Sequence, residues 1–147
     1  MQASRLEPMF DPWDVVAAHP WLVVRRDRLP EGVPGATTDG NVIWLDERLS
    51  QRERRCVLTH ELVHVSAGHA SCQPTAVERR VRWEAAHLLL EWPDLFRVLR
   101  GAHSLGEAAE ELWVTDMVLG DRLESAKPDE LEALQGLRRI VGEGVSW

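Results

Sequence analysis

The chain has 147 residues, 44% of them hydrophobic and 28% charged, a composition of ordinary globular kind and long enough to bury a real core. Its formal net charge of −7 speaks against general nucleic-acid affinity, which shows as a basic footprint. Two cysteines, Cys56 and Cys72, are too few for the disulfide framework of a small secreted protein, so a reducing cytoplasm is the expected setting.

The opening MQASRLEPMFDP lacks the basic-then-apolar order of a signal peptide, and no apolar run approaches the roughly 20 residues that span a bilayer. In DPWDVVAAH, Asp11 sits where an N-cap belongs and Pro12 at the first helical position, which predicts a short helix. Trp21 to Arg26 (WLVVRR) is β-rich. RLPEGVPGATTDGN then reads as loop, with Asp39-Gly40 as a turn pair. Asn41 to Asp46 (NVIWLD) is a second strand, and together the two strands suggest a small antiparallel sheet.

From Ser50 the pattern turns helical. Ser50 and Glu53 form a capping-box signature, apolar residues recur at Val57, Leu58, Leu62 and Val65, and Gly68 supplies a stop. Further helices are predicted from about Pro74 to Glu91, Asp94 to Arg100, Leu105 to Leu112, Asp116 to Ser125 and Pro128 to Ile140, with a frayed tail at 142–147. The fold class is therefore α+β: an N-terminal helix and small sheet over about 1–49, then a helical body over 50–141, in a single domain.

Inside the capped helix lies His60-Glu61-Leu62-Val63-His64. Residues four apart share a helix face, so both imidazoles can turn a ring nitrogen toward one ion about 2.0–2.1 Å away. Glu61, rotated by one residue, brings its carboxylate beside that ion, placed to take a proton from water. This is the mechanical content of H-E-x-x-H on a helix, and it names zinc as the metal.

A catalytic zinc site with three protein ligands needs one more. Glu78, Glu84, His87, Glu91, Asp94 and nearby His69 are the candidates. Glu78 shares a face with Val81, Ala85, Leu88 and Leu89, where an ionised carboxylate needs a charged partner. Thr75-Ala-Val-Glu78 is also a capping box, in which Glu78 would only close a helix start. Glu84 lies about 120° round the wheel from Glu78, so both cannot face one ion comfortably.

The segments ERRCVLTHELVHVSAGHA, ERRVRWEAAHLLL and EAAEELWVTDMVLGDRL resemble the ImmA/IrrE metallopeptidases, notably short actinobacterial and phage forms, from about Gly40 to Leu134. The resemblance implies a zincin-like fold in which His60 and His64 are zinc ligands, Glu61 is the catalytic base and Glu78 completes the site. It implies a soluble enzyme whose substrate is a protein partner, a transcriptional repressor of a mobile element or stress response. The second helix departs from the family pattern: Val81, Arg82 and Glu84 stand where alanine, asparagine and phenylalanine are usual. The alternative is a peptidase-like binding or immunity module without turnover.

The chain has no tyrosine. An oxyanion donor must then be a histidine (His69, His87 or His103), an arginine, a backbone N–H or the metal itself. Ser104 to Leu123 has the rhythm of a helix-turn-helix, but its region carries Glu107, Glu110, Glu111, Asp116, Asp121 and Glu124 against Arg122, which favours helical packing or protein docking over DNA. Arg52, Arg54 and Arg55 read as a solvated helix surface, and Cys56 as a core residue.

Overall fold

In the computed structural model, which describes residues 9–70 and 72–141, Asp11 accepts the Trp13 N–H at 2.9 Å and caps helix α1 (Pro12–Ala18). The expected frayed tail, 142–147, lies outside the described residues.

Strands β1 (Val23–Asp27), β2 (Gly35–Thr38) and β3 (Val42–Asp46) form one sheet in the order β1-β3-β2. Here two expectations are corrected. The stretch read as loop contains β2, and the sheet is mixed: β2 runs antiparallel to β3, whereas β1 runs parallel to it, Val23 beside Val42 and Asp27 beside Asp46. An unrecognised strand adds one reversal of the chain, so the two strands flanking it end up pointing the same way. Gly-Ala-Thr-Thr carries no apolar alternation, which is why β2 does not announce itself.

The Asp39-Gly40 turn is as expected. Both residues have positive φ, 57° and 75°, and the Asn41 N–H closes onto Thr38 O at 3.3 Å, the pairing that a type I′ turn requires. At the other end of the sheet the β1–β2 loop crosses over the end of β3. Arg48 holds it there, donating to Leu29 O at 2.8 Å while its guanidinium grips the Asp46 carboxylate.

Helix α2 (Gln51–Ser66) begins with the predicted capping box: Ser50 Oγ accepts from Glu53 N–H at 3.2 Å and Glu53 Oε1 from Ser50 N–H at 2.8 Å. It is not a surface helix with one apolar stripe. Leu58 and Leu62 pack with Ile43 and Leu45 of the sheet, Cys56 enters the helical core, and Val63 meets Val81 and Ala85. Being covered on three sides, α2 holds its polar residues Thr59, Glu61 and His64 buried. Such groups must find partners inside the protein.

Gly35 lets β2 press against α2. A Cβ there would stand 2.5 Å from Val57 Cγ1 and 3.5 Å from Glu61 Cγ. Val57 is β-branched and stiff at χ1, so it cannot swing clear. Gly35→Ala is expected to cost about 1–3 kcal/mol, the usual price of overpacking. Urea unfolding of the variant checks this; an unchanged midpoint would show that β2 does not need so close an approach.

Helices α3 (Thr75–Leu89), α4 (Trp92–Gly101), α5 (Leu105–Glu111), α6 (Asp116–Glu124) and α7 (Pro128–Val141) complete the body. Pro93 sits in the first turn of α4, where it removes no helical bond. The acidic α5–α6 segment is a packing unit, with Ala108, Ala109, Val114 and Leu119 in the helical core.

The reading of Arg55 as solvated helix surface is corrected, and Arg122 is a second arginine turned inward. Arg122 is buried, donating to Leu90 O at 2.8 Å and to both Glu130 oxygens at 2.8 and 3.0 Å. Arg55 is buried too, donating to Trp113 O at 2.7 Å and Phe10 O at 3.0 Å, so it ties the N-terminal segment to the α5–α6 turn. The partners of Arg55 and the Leu90 carbonyl on Arg122 come from distant parts of the chain, while Glu130 comes from the next helix, α7. No helix among the described residues is long and apolar enough to cross a membrane.

Candidate metal centre

Helix α2 presents His60 and His64 one turn apart, and α3 lies against it with Glu78 in its first turn. The Glu78 carboxylate stands between the two imidazoles: Oε1 is 3.3 Å from Nε2 of each ring, and Oε2 is 3.1 Å from Nε2 of His64. One ligand atom from each of the three residues falls within 4.8 Å of the others. An ion with four tetrahedral ligands at about 2.0–2.1 Å separates those ligands by roughly 3.3 Å. The His–Glu spacings agree with that edge length, and two imidazoles with one carboxylate are a donor set that suits zinc. The three residues fit the metal.

The capping alternative for Glu78 does not occur. The N-cap of α3 is Pro74, with no side-chain cap bond, and the Glu78 carboxylate turns to the histidines. Glu84 and Glu91 are exposed and Asp94 pairs with Arg97 at 3.4 Å, so none of them joins the group.

Glu61 lies on the side of α2 that faces the sheet. Its Oε1 accepts from Thr37 Oγ1 on β2 at 2.8 Å. Burial pushes its carboxyl above the ordinary range, while the Thr37 bond and nearby His64 pull it back. Burial also holds the His60 imidazole below its ordinary value, with His64 and Arg82 adding to the effect against the pull of Glu78. A neutral imidazole keeps the lone pair that a metal needs, and a carboxylate made more basic is a better proton acceptor. Perturbed groups of this kind gather at functional sites.

Thr37 escaped sequence reading because β2 did. The only signal for it was a pair of β-branched residues before Asp-Gly. Of the histidines considered as oxyanion donors, His87 is engaged with Ser125 (Oγ at 3.1 Å) and His103 is exposed near Glu107, so neither belongs to the group. His69 packs behind His64, with its Nδ1 3.0 Å from the His64 Nδ1. Arg82, one turn beyond Glu78, reaches Asp121 of α6 at 3.4 Å. Cys56 is buried in the helical core, where burial raises its thiol, and is no part of the centre.

Comparison with known proteins returns one family, described as the IrrE N-terminal-like domain, whose model matches residues 20–124. Neither the curated proteins nor the solved structures contain a match. The matched span runs from just before β1 to the end of α6 and so includes the sheet, Thr37, α2 and Glu78. The chain belongs to this IrrE N-terminal-like peptidase family.

Proposed function

We propose that the protein is a zinc-dependent endopeptidase that hydrolyses a peptide bond in a protein partner, a transcriptional repressor of a mobile element or stress response. The observation that carries the reading is the convergence of His60, His64 and Glu78 beside a buried Glu61, in a chain of a peptidase family. His60, His64 and Glu78 are the ligands. A zinc ion held by them supplies a Lewis acid that polarises a carbonyl and lowers the pKa of water toward about 7.

Glu61 is the general base. Thr37 occupies Oε1, and no other side chain among the described residues hydrogen-bonds Oε2, which is free to accept a proton from water. The same oxygen then returns the proton to the leaving amine nitrogen. Thr37 keeps the carboxylate from rotating between the two steps. The closing of α2 by β2 on one side and α3 on the other limits the water that reaches this carboxylate.

Metal content of the purified chain tests the reading. One zinc per chain is expected in wild type, with clear loss in His60→Ala and in Glu78→Gln. Wild-type protein that takes up no stoichiometric zinc sinks it.

A further inference from the structure

His64 is engaged at both ring nitrogens. Its Nε2 faces the Glu78 carboxylate at 3.1 Å, and its Nδ1 meets the Nδ1 of His69 at 3.0 Å, with the two ring centroids 5.2 Å apart. The backbone is shaped to bring this about. Helix α2 ends at Ser66, Gly68 takes φ +77°, and the returning His69 N–H donates to His64 O at 2.9 Å. Positive φ is readily available to glycine and strained for other residues, so Gly68 permits the fold-back.

Two neutral imidazole nitrogens 3.0 Å apart need one donor and one acceptor. An imidazole that gives its Nε2 lone pair to a metal carries its single proton on Nδ1. His64 must then donate and His69 must accept, which leaves the His69 proton on Nε2. The ligand atoms grouped around Glu78 do not include any from His69, because its Nδ1 lies on the far side of the His64 ring.

We propose that His69 is a positioning residue of the metal centre: its Nδ1 accepts the His64 Nδ1–H and so sets the tautomer and ring plane in which His64 offers Nε2 to the ion. The proposal rests on the zinc reading above and extends it to a residue that touches neither metal nor substrate. A ligand imidazole usually donates to a carboxylate, a backbone carbonyl or water. A neutral imidazole acceptor draws less on the His64 proton than a carboxylate does, which leaves more positive charge on the ion.

The test uses the full chain with His69→Leu, which removes the acceptor at similar volume, and His69→Asn, whose Oδ1 lies close to where Nδ1 was. Zinc affinity is read by chelator competition and the geometry by the absorption of the cobalt-substituted protein. His69→Leu is expected to weaken zinc binding about 10–100-fold and to alter the cobalt spectrum, with His69→Asn restoring most of both. Equal affinity and an unchanged spectrum in His69→Leu overturn the proposal, as does an Asn variant no better than Leu. Nitrogen NMR of zinc-loaded wild type needs no variant: His64 protonated at Nδ1 and His69 at Nε2 supports the assignment, and the reverse overturns it. Wild type that binds no zinc overturns the metal reading and this proposal together, whereas binding that ignores residue 69 overturns this proposal alone.

Discussion

Replacing Glu61 with glutamine is expected to leave zinc uptake intact and to slow hydrolysis of the protein partner by about 10²–10⁴-fold, the range that general acid–base catalysis supplies. The two carboxamide and carboxylate side chains have nearly the same shape. The glutamine carbonyl can still accept the hydrogen bond of Thr37, whose Oγ1 lies 2.8 Å from Glu61 Oε1, so the local fold has no reason to change. What disappears is the second basic oxygen, and with it the shuttle from water to the leaving amine. Single-turnover cleavage of the proposed repressor substrate, measured together with zinc content, separates the outcomes. Metal retained and cleavage lost agrees with the assignment. Cleavage at the wild-type rate removes Glu61 from the mechanism, and a biological effect that survives the substitution points instead to a module that acts by binding alone.

Glu130→Ala carries the largest expected loss of stability, about 3–5 kcal/mol. The carboxylate is buried and meets Arg122 through two bonds, and it also accepts the Lys127 N–H at 3.1 Å. Its removal leaves a guanidinium in the core with only Leu90 O for company. For a chain of this size the melting temperature should fall by roughly 10 °C. Replacing both partners with apolar residues, Arg122→Met with Glu130→Leu, is expected to recover most of the loss, because no charge is then stranded. A single variant that melts within a few degrees of wild type would mean that water reaches Arg122 after all.

The same pair sets a pH dependence. The Arg122 hydrogen bond holds the Glu130 carboxyl below its ordinary value. Stability from a depressed carboxylate is present in full above the unfolded value, about 4.3, and is lost as pH falls through the lower folded value. Asp46, held well below the carboxylate range by Arg48, acts in the same direction. Unfolding followed from pH 6 to pH 2 should therefore show stability falling below about pH 4, with a shallower fall in Glu130→Gln.

Much of the local structure could be read from the chain. The Asp11 cap, the Ser50–Glu53 box and the Asp39-Gly40 turn each depend on residues within three positions of one another, and each is found where expected. The H-E-x-x-H spacing belongs to the same class, since a helix alone puts His60 and His64 on one face. Glu78 was harder. Its spacing fitted both a ligand and a cap, and only the packing of α3 against α2 turned its carboxylate toward the histidines.

The features that stayed hidden share a cause. β2 is held by backbone bonds to β3 and by the contact of Gly35 with α2, neither of which shows as an apolar pattern in Gly-Ala-Thr-Thr. Thr37 acquires its place beside Glu61 only through that strand. Arg55 and Arg122 look like surface residues until Trp113 O, Phe10 O and Glu130 meet them from elsewhere in the chain. By itself the sequence determined the caps, the helices and the pair of histidines on one face, because those follow from short-range backbone geometry. The tertiary structure decided the direction of β1, the groups that hold Glu61 and His64, and which charges are buried, because each depends on which distant surface comes to cover it.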